Sequence, residues 1–569
     1  MFKTRAVVFI NLLCLVITVS LVQAGVAADV QDQPQRARRV STSASPKPTP
    51  TPSPAPTPAR PLVETPSERP EPEQAPDVAQ IKAAPTAHNL AELQSRITQI
   101  LRKPELEAAM IGIKVTSLNS GKVLFEENAN KLLRPASNMK LYSIAAALDR
   151  LSPEYRITTS VYAPSKPDAA GIISGDLTIY GRGDPSFAAR FNNGDYFKGI
   201  NDLAARIAAT GVKRVEGDLV GNETYFVGPQ YGSGWEWEDL QWWYGAEVSP
   251  LTVNDNALDL FIKPGAQIGA PAVITTGPPD PLLRIVNKAV TVERKTKRDL
   301  SVYRGLAGDD LEVSGTIALD DKGYTGGIGI SRPALLFVYL LRTALAERGV
   351  TITGKTRATG PVISNSKKTT DVSGMIEIAS LQSPPLGVIA AHTLKPSQNL
   401  YTELILRTLG KVAAPPAAIA SVDRTSEAAG LEVVKAFLRE AGVTPPALVL
   451  SDGSGLSRND MITAAATHQL LTYMHSHRYA AAFRDALPIA GVDGTLRNRF
   501  KGTAAENNVR AKTGSLSSAA SLSGYMKDAA GEDLAFSIMV NNYPEDTDVR
   551  GECIDPIVML LAAFAGKTQ

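Results

Sequence analysis

The sequence predicts an α/β chain of the α+β kind. Two segments far apart would build one domain of antiparallel sheet flanked by helices, and a large β-rich insertion would separate them. Three observations carry this. Residues 111–118 (IGIKVTSL) and 122–128 (KVLFEEN) alternate around the turn Asn119, Ser120, Gly121, and 524–528 (GYMKD) with 533–543 (DLAFSIMVNNY) repeat the hairpin pattern near the C-terminus. Helical runs border both hairpins, at 90–101, 398–440 and 555–566. From about 161 to 371 short strand-like runs alternate with glycine-rich turns, as in GDLTIYGRGDPSF, GDLVGNETYF, LDLFIK, AVTVER and LEVSGTIALDD. Within that stretch RPALLFVYLLRTALAERG (332–349) reads as a helix stopped at Gly349.

The chain has 569 residues, too many for one ordinary domain, and 44% of them are hydrophobic, enough for sizeable cores. A net charge of +2 gives no footprint for nucleic acid. Lys3 and Arg5 precede an apolar run over 6–22, and small residues follow near Ala24 and Ala27. This reads as an export signal over 1–27, or, uncleaved, as a membrane anchor. Either way the remainder lies outside the cytoplasm, with membrane or cell-wall association in reach. Cys14 falls in the apolar run, so Cys553 would be left unpaired after processing. Residues 28–88 lack hydrophobic periodicity, and their Pro/Thr/Ser tract (SPKPTPTPSPAPTPARP, 45–61) reads as an extended spacer. The expected organisation is signal 1–27, linker 28–88, one domain from 89–160 and 372–569, and the insertion 161–371.

Ser137 stands three residues before Lys140 in RPASNMKLYSIAAAL. Helix positions i and i+3 share a face, so the two side chains meet without help from the tertiary fold. A serine hydroxyl becomes a nucleophile when a base takes its proton. Lysine serves as that base only if its pKa, normally near 10.4, falls through burial or a second cation. The alternative reading of Ser137 is a helix N-cap. A second S-x-x-K, Ser364 to Lys367, sits in a polar run that reads as a solvated loop.

The second cation would be Lys512, in the single K-T-G of the chain (RAKTGSLSSAASLSGY), at the start of a strand pattern. A strand edge there could pair with an extended peptide, Gly514 would allow close approach, and Thr513 could donate to a carboxylate. The other reading is a surface strand whose lysine guards its edge. S-x-N occurs three times, as Ser117–Asn119, Ser397–Asn399 and Ser457–Asn459. The first belongs to a turn and the third to a glycine-rich loop. The second, in KPSQNLYTELILRTLG, opens a helix after a proline and is preferred, with an N-cap as its structural alternative.

The order S-x-x-K, S-x-N, K-T-G in an exported chain resembles the penicillin-binding DD-peptidases. Ser137 and Ser397 are 260 residues apart, and Ser397 and Lys512 are 115 apart. A long insertion between the first two motifs resembles the class C low-molecular-mass group, the D-alanyl-D-alanine carboxypeptidase/endopeptidases of peptidase family S13. GRGDPSF, EGDLVGNETYF, GWEWEDLQWWYGAEVSPLTVNDN, SDGSGLSR and AGVDGTLRNRF extend the resemblance from about Asn89 to the C-terminus. It implies a serine β-lactamase/DD-peptidase-like domain acting on peptidoglycan stem peptides and inhibited by β-lactams. It implies Ser137 as nucleophile, Lys140 as its base, Ser397 as proton shuttle and Lys512 as second charge. Asn399 would hold the substrate amide and Thr513 the terminal carboxylate, with Gly514 beside them. The N–H groups of Ser137 and Ser515 would form the oxyanion hole. Arg458 would assist at the carboxylate, and Asp239 would hold the free amine of a diamino-acid stem. No metal or organic cofactor is implied.

Four rival classes compete with this reading. A β-lactamase shares the motifs on a far shorter chain. A non-catalytic binding protein needs none of the three motifs intact. Among the five histidines there is no H-E-x-x-H, and the chain has no G-x-S-x-G, which disfavours zinc peptidases and nucleophile-elbow hydrolases.

Overall fold

The computed structural model describes residues 86–305, 308, 310–363, 372–415 and 424–568. The expected signal, nearly all of the expected linker, Cys14 and the second S-x-x-K at Ser364 lie outside the described residues.

Both expected hairpins form, and the structure joins them. Met110–Ser117 pairs with Val123–Glu127, and Ala519–Lys527 pairs with Asp533–Asn541, all antiparallel. Met110–Ser117 also runs antiparallel to Asp533–Asn541, so the two ends of the chain share one five-stranded sheet. Arg510–Leu516, which carries K-T-G, is its edge strand, with Lys512 opposite Ser523. Asn89 caps the helix Leu90–Leu101 by accepting from Glu92 N at 2.9 Å. Order reaches back past that cap: Ala87 is fully buried and its carbonyl accepts from Ala565 N at 3.0 Å.

The helix Met139–Leu151 runs through the middle of the domain. Every residue from Met139 to Leu148 is buried, against Leu406 and Leu409 of Asn399–Val412 and Val434 and Phe437 of Ser426–Glu440. A helix buried on all sides over 139–148 belongs in a core, which fits the mostly apolar run LYSIAAAL.

The insertion has its own core, gathered around Leu177, Ile179, Leu219, Leu258, Leu260 and Phe337. Its five-stranded sheet runs in the order Thr356–Ala358, Leu219–Asn222, Leu177–Tyr180, Thr158–Ala163, Ile376–Gln382. The last two strands pair antiparallel, so the chain leaves and returns side by side. The expected limits, 161 and 371, fall inside one of these strands and just before the other. The helix expected over 332–349 spans Pro333–Ala346, and a second helix, Lys198–Ala208, packs with it. Phe226 and Val248 of the insertion pack on Leu400, Tyr401 and Leu404, seating the insertion on the helix that opens with Asn399.

Phe337 is fully buried and meets Phe187 edge to face at a centroid distance of 4.8 Å. Phe337→Ala is expected to destabilise the insertion core by about 3–5 kcal/mol, read from denaturant unfolding.

Candidate active site

Ser137 is not a cap. It lies in the 3-10 turn Ala136–Asn138, which runs directly into Met139–Leu151, and neither helix start has a side-chain cap. Its hydroxyl instead accepts from Lys140 Nζ at 2.8 Å. Ala136, just before it, has φ of +48°, a left-handed conformation that costs a residue with a Cβ about 1 kcal/mol. Surrounding contacts hold it there. Asn138 Nδ2 donates to the Lys512 carbonyl at 3.0 Å and to Ser521 Oγ at 2.6 Å, and Ser521 Oγ donates to the Pro135 carbonyl at 2.7 Å. Two glycines let the neighbouring segments press in. A Cβ at Gly514 would sit 2.6 Å from the Pro135 carbonyl oxygen, and one at Gly455, whose φ is +78°, would overlap the Ala136 carbonyl. The close approach at Gly514 is therefore made by the Ser137 turn and Ser521.

Lys140 is fully buried. Besides Ser137, its ammonium donates to Asn399 Oδ1 at 2.6 Å and to the Ser454 carbonyl at 2.8 Å. Burial lowers its pKa to about 7, and the carboxylates of Asp452, Glu403 and Asp460 oppose that drop. Of the two expected causes, burial and a second cation at Lys512, burial is the first. Lys512, itself fully buried, donates to Ser397 Oγ and to the Thr513 carbonyl, each at 2.8 Å.

Of the three S-x-N copies, Ser397–Asn399 meets both lysines. Ser397 has φ of +62° and is not the cap of the following helix; the buried Gln398 side chain takes that part, accepting from Leu400 N at 3.1 Å. Asn399 Nδ2 donates to the carbonyl of Tyr244, from the insertion, at 2.9 Å. Ser117–Asn119 stays in its hairpin turn, where Asn119 Oδ1 accepts from Asp533 N.

These groups border a cleft of about 650 Å³ between the K-T-G strand, the SDGSGLSR loop and insertion residues Trp242, Trp243 and Tyr244. Ser137, Ser397, Asn399, Thr513, Gly514, Ser515, Arg458 and Asp239 all line it, so every site residue expected from the sequence faces the cleft or, as with the two lysines, backs it. Thr513 Oγ1 donates to Thr495 Oγ1 at 2.8 Å, and Arg550 Nη2 donates to Ser515 Oγ at 2.7 Å. Arg458 Nη1 lies 3.0 Å from Glu236 and 3.6 Å from Asp239. The arginine thus already faces two acids. Burial raises the Asp239 carboxyl, Glu236 adds to the rise, and Arg458 opposes it.

Residues that sequence reasoning missed hold this arrangement together. Asn138 sits inside S-x-x-K as an unspecified position. Asp452 accepts from Ser454 N, Gly455 N, Ser457 N and the Trp235 indole N–H, and Glu403 accepts from Gly453 N. Only the glycine density of SDGSGLSR hinted at a loop folded around an acceptor.

Residues 93–564 match the model of the D-Ala-D-Ala carboxypeptidase 3 (S13) family. The chain belongs to that family. It is 33% identical over 488 residues to a D-alanyl-D-alanine carboxypeptidase of Actinomadura sp. (strain R39), covering 84% of this chain and 86% of that protein. It is 27% identical over 471 residues to penicillin-sensitive carboxypeptidase A of Dictyostelium discoideum, covering 78% and 84%. Its fold is similar to the crystal structure of penicillin binding protein 4 from Haemophilus influenzae, with a TM-score of 0.68, 22% identity, and coverage of 84% of this chain and 98% of that one. This S13 chain is thus a serine-type peptidase of the D-Ala-D-Ala carboxypeptidase group, built on the DD-peptidase fold that the three motifs led us to expect.

In this S13 enzyme Gly455→Ala is expected to displace the Ser137 turn, because the new Cβ would overlap the Ala136 carbonyl at a positive φ. Acylation by a fluorescent penicillin should slow by at least about tenfold while far-UV circular dichroism is retained.

Proposed function

We propose that this S13 chain is exported and acts outside the cytoplasm, hydrolysing the terminal D-Ala–D-Ala bond of peptidoglycan stem peptides through an acyl-enzyme on Ser137. The observation that carries the reading is the 2.8 Å hydrogen bond between Lys140 Nζ and Ser137 Oγ, made by a lysine whose pKa burial brings to about 7. Near neutrality a large fraction of that lysine is free of its extra proton and able to take one from the serine.

In this mechanism the stem peptide lies along the edge strand Arg510–Leu516, adding main-chain hydrogen bonds to the sheet. Lys140 removes the Ser137 proton as Oγ attacks the carbonyl of the penultimate D-alanine. The N–H groups of Ser137 and Ser515 stabilise the oxyanion. Ser397, hydrogen-bonded to Lys512, relays the proton taken up by Lys140 to the leaving amine, the C–N bond breaks, and D-alanine departs. Water then attacks the ester and Ser137 recovers its proton. Asn399 orients the substrate amide and Thr513 the terminal carboxylate, the latter with Thr495 behind it. Asp239 receives the free amine of a diamino-acid side chain, and Arg458 assists at the carboxylate. A D-Ala–diamino-acid cross-link presents the same acyl group with an amine leaving group, so endopeptidase cleavage uses the same steps. β-Lactams acylate Ser137 in place of substrate.

Ser137→Ala is expected to abolish covalent labelling by a fluorescent penicillin, whereas Ser364→Ala keeps it; labelling retained in Ser137→Ala would overturn the assignment. Release of D-alanine from a diacyl-Lys-D-Ala-D-Ala peptide distinguishes the peptidase from a binding protein, and rapid turnover of penicillin would favour a β-lactamase.

The pH dependence follows from burial. The neutral lysine is the active form, and its pKa is lowered to about 7. Acylation should therefore fall as pH drops below about 7, by about tenfold for each further unit, in stopped-flow measurements.

A further inference from the structure

Beneath the cleft, away from the bond to be broken, lies a set of buried carboxyl groups that the proposed steps do not use. Asp452, in the SDGSGLSR loop, is fully buried. Its Oδ1 accepts from Ser454 N at 3.1 Å and Gly455 N at 2.7 Å. Its Oδ2 accepts from Ser457 N at 3.1 Å, Ser454 Oγ at 2.8 Å and Trp235 Nε1 at 2.8 Å. Five donors converge on this one side chain. The loop it organises supplies the Ser454 carbonyl that accepts from Lys140 Nζ at 2.8 Å, and Gly455, which packs on the Ser137 turn. Trp235 belongs to the insertion. Its neighbour Gly234 lies so close to Ser457 that a Cβ there would meet the side chains of Ser457 and Asn459. A single carboxyl side chain therefore sits between an indole of the insertion and the loop whose carbonyl is bonded to Lys140.

We propose that Asp452 is a positioning residue for Lys140: it shapes the loop that holds the Ser454 carbonyl against the ammonium, it supplies the negative charge that the ammonium faces, and Trp235 of the insertion tunes that charge. The proposal rests on the reading of Lys140 as the base of Ser137.

The groups around Asp452 define the electrostatics. Lys140 faces Asp452, Glu403 and Asp460. Asp452 faces Asp460 in its own loop and Glu403 and Glu427 from the helices Asn399–Val412 and Ser426–Glu440. Arg407 faces Glu403 and Glu427. Burial and, after it, Asp452 push the Glu403 and Asp460 carboxyls well up. Asp460 Oδ1 accepts from Ser451 N at 2.6 Å and Glu403 Oε1 from Gly453 N at 2.8 Å, so both brace the same loop.

The test is the pH profile of the acylation rate, measured on the full chain with a fluorescent penicillin from about pH 5 to pH 9. Asp452→Asn removes the charge and should move the acid limb to lower pH by about one unit, because the ammonium loses its counter-charge. Trp235→Phe keeps an aromatic ring, though a smaller one, and removes the indole N–H, leaving the carboxylate less neutralised, and should move the limb the other way, to higher pH. A purely structural role lowers the plateau in both variants and leaves the limb in place, and that result overturns the proposal. If Asp452→Asn does not fold, the upward shift in Trp235→Phe decides alone. A wild-type rate with no acid limb would instead overturn the reading of Lys140 as base, and the proposal with it.

Discussion

The site depends on keeping one lysine out of water. Lys140 lies in a stretch of helix, 139–148, in which every residue is buried, and its ammonium is shared among a serine hydroxyl, an amide oxygen and a backbone carbonyl. None of these partners is a carboxylate in direct contact. Three acids lie farther off and restrain the fall of its pKa without cancelling it. Had an aspartate occupied the place of Asn399, a direct ion pair would hold the proton on the lysine. A neutral acceptor there orients the ammonium and leaves it free to act as a base.

Around that lysine, strain and close packing share one job. Ala136 and Ser397, next to or within the two serine motifs, both hold left-handed backbone conformations. Such conformations persist when the surroundings over-determine them. Here Asn138, Ser521, Gly455 and Gly514 hold the first, and the Gln398 cap and Lys512 hold the second. Each serine hydroxyl ends 2.8 Å from its own lysine.

The insertion is part of the site as well as an addition to the fold. Tyr244 positions Asn399, Trp235 reaches Asp452, and Asp255 binds both the Tyr401 hydroxyl and Arg190. Asn254, Asp255 and Asn256 all have positive φ, a local arrangement that side-chain amides and carboxylates tolerate better than other residues. Asn256 Nδ2 donates to the Glu247 carbonyl at 2.7 Å and so fixes this turn within the insertion. Asp239 and Trp242 to Tyr244 form one wall of the cleft.

Much was legible in the sequence because it is local. Hairpins follow from alternation and turn residues, helices from periodicity and caps, and the Ser137–Lys140 contact from helical spacing. The three motifs in order were enough to name the family and its chemistry. What the tertiary structure alone decided is long-range. Which S-x-N copy joins the site depends on where the helix Asn399–Val412 crosses Met139–Leu151. Whether Ser137 caps a helix or faces a base depends on the 3-10 turn clamped by Asn138 and Gly455. Which of the two expected causes dominates the lysine's low pKa is a property of the packed core, since desolvation depends on every atom around the ammonium and not on any one residue in the sequence.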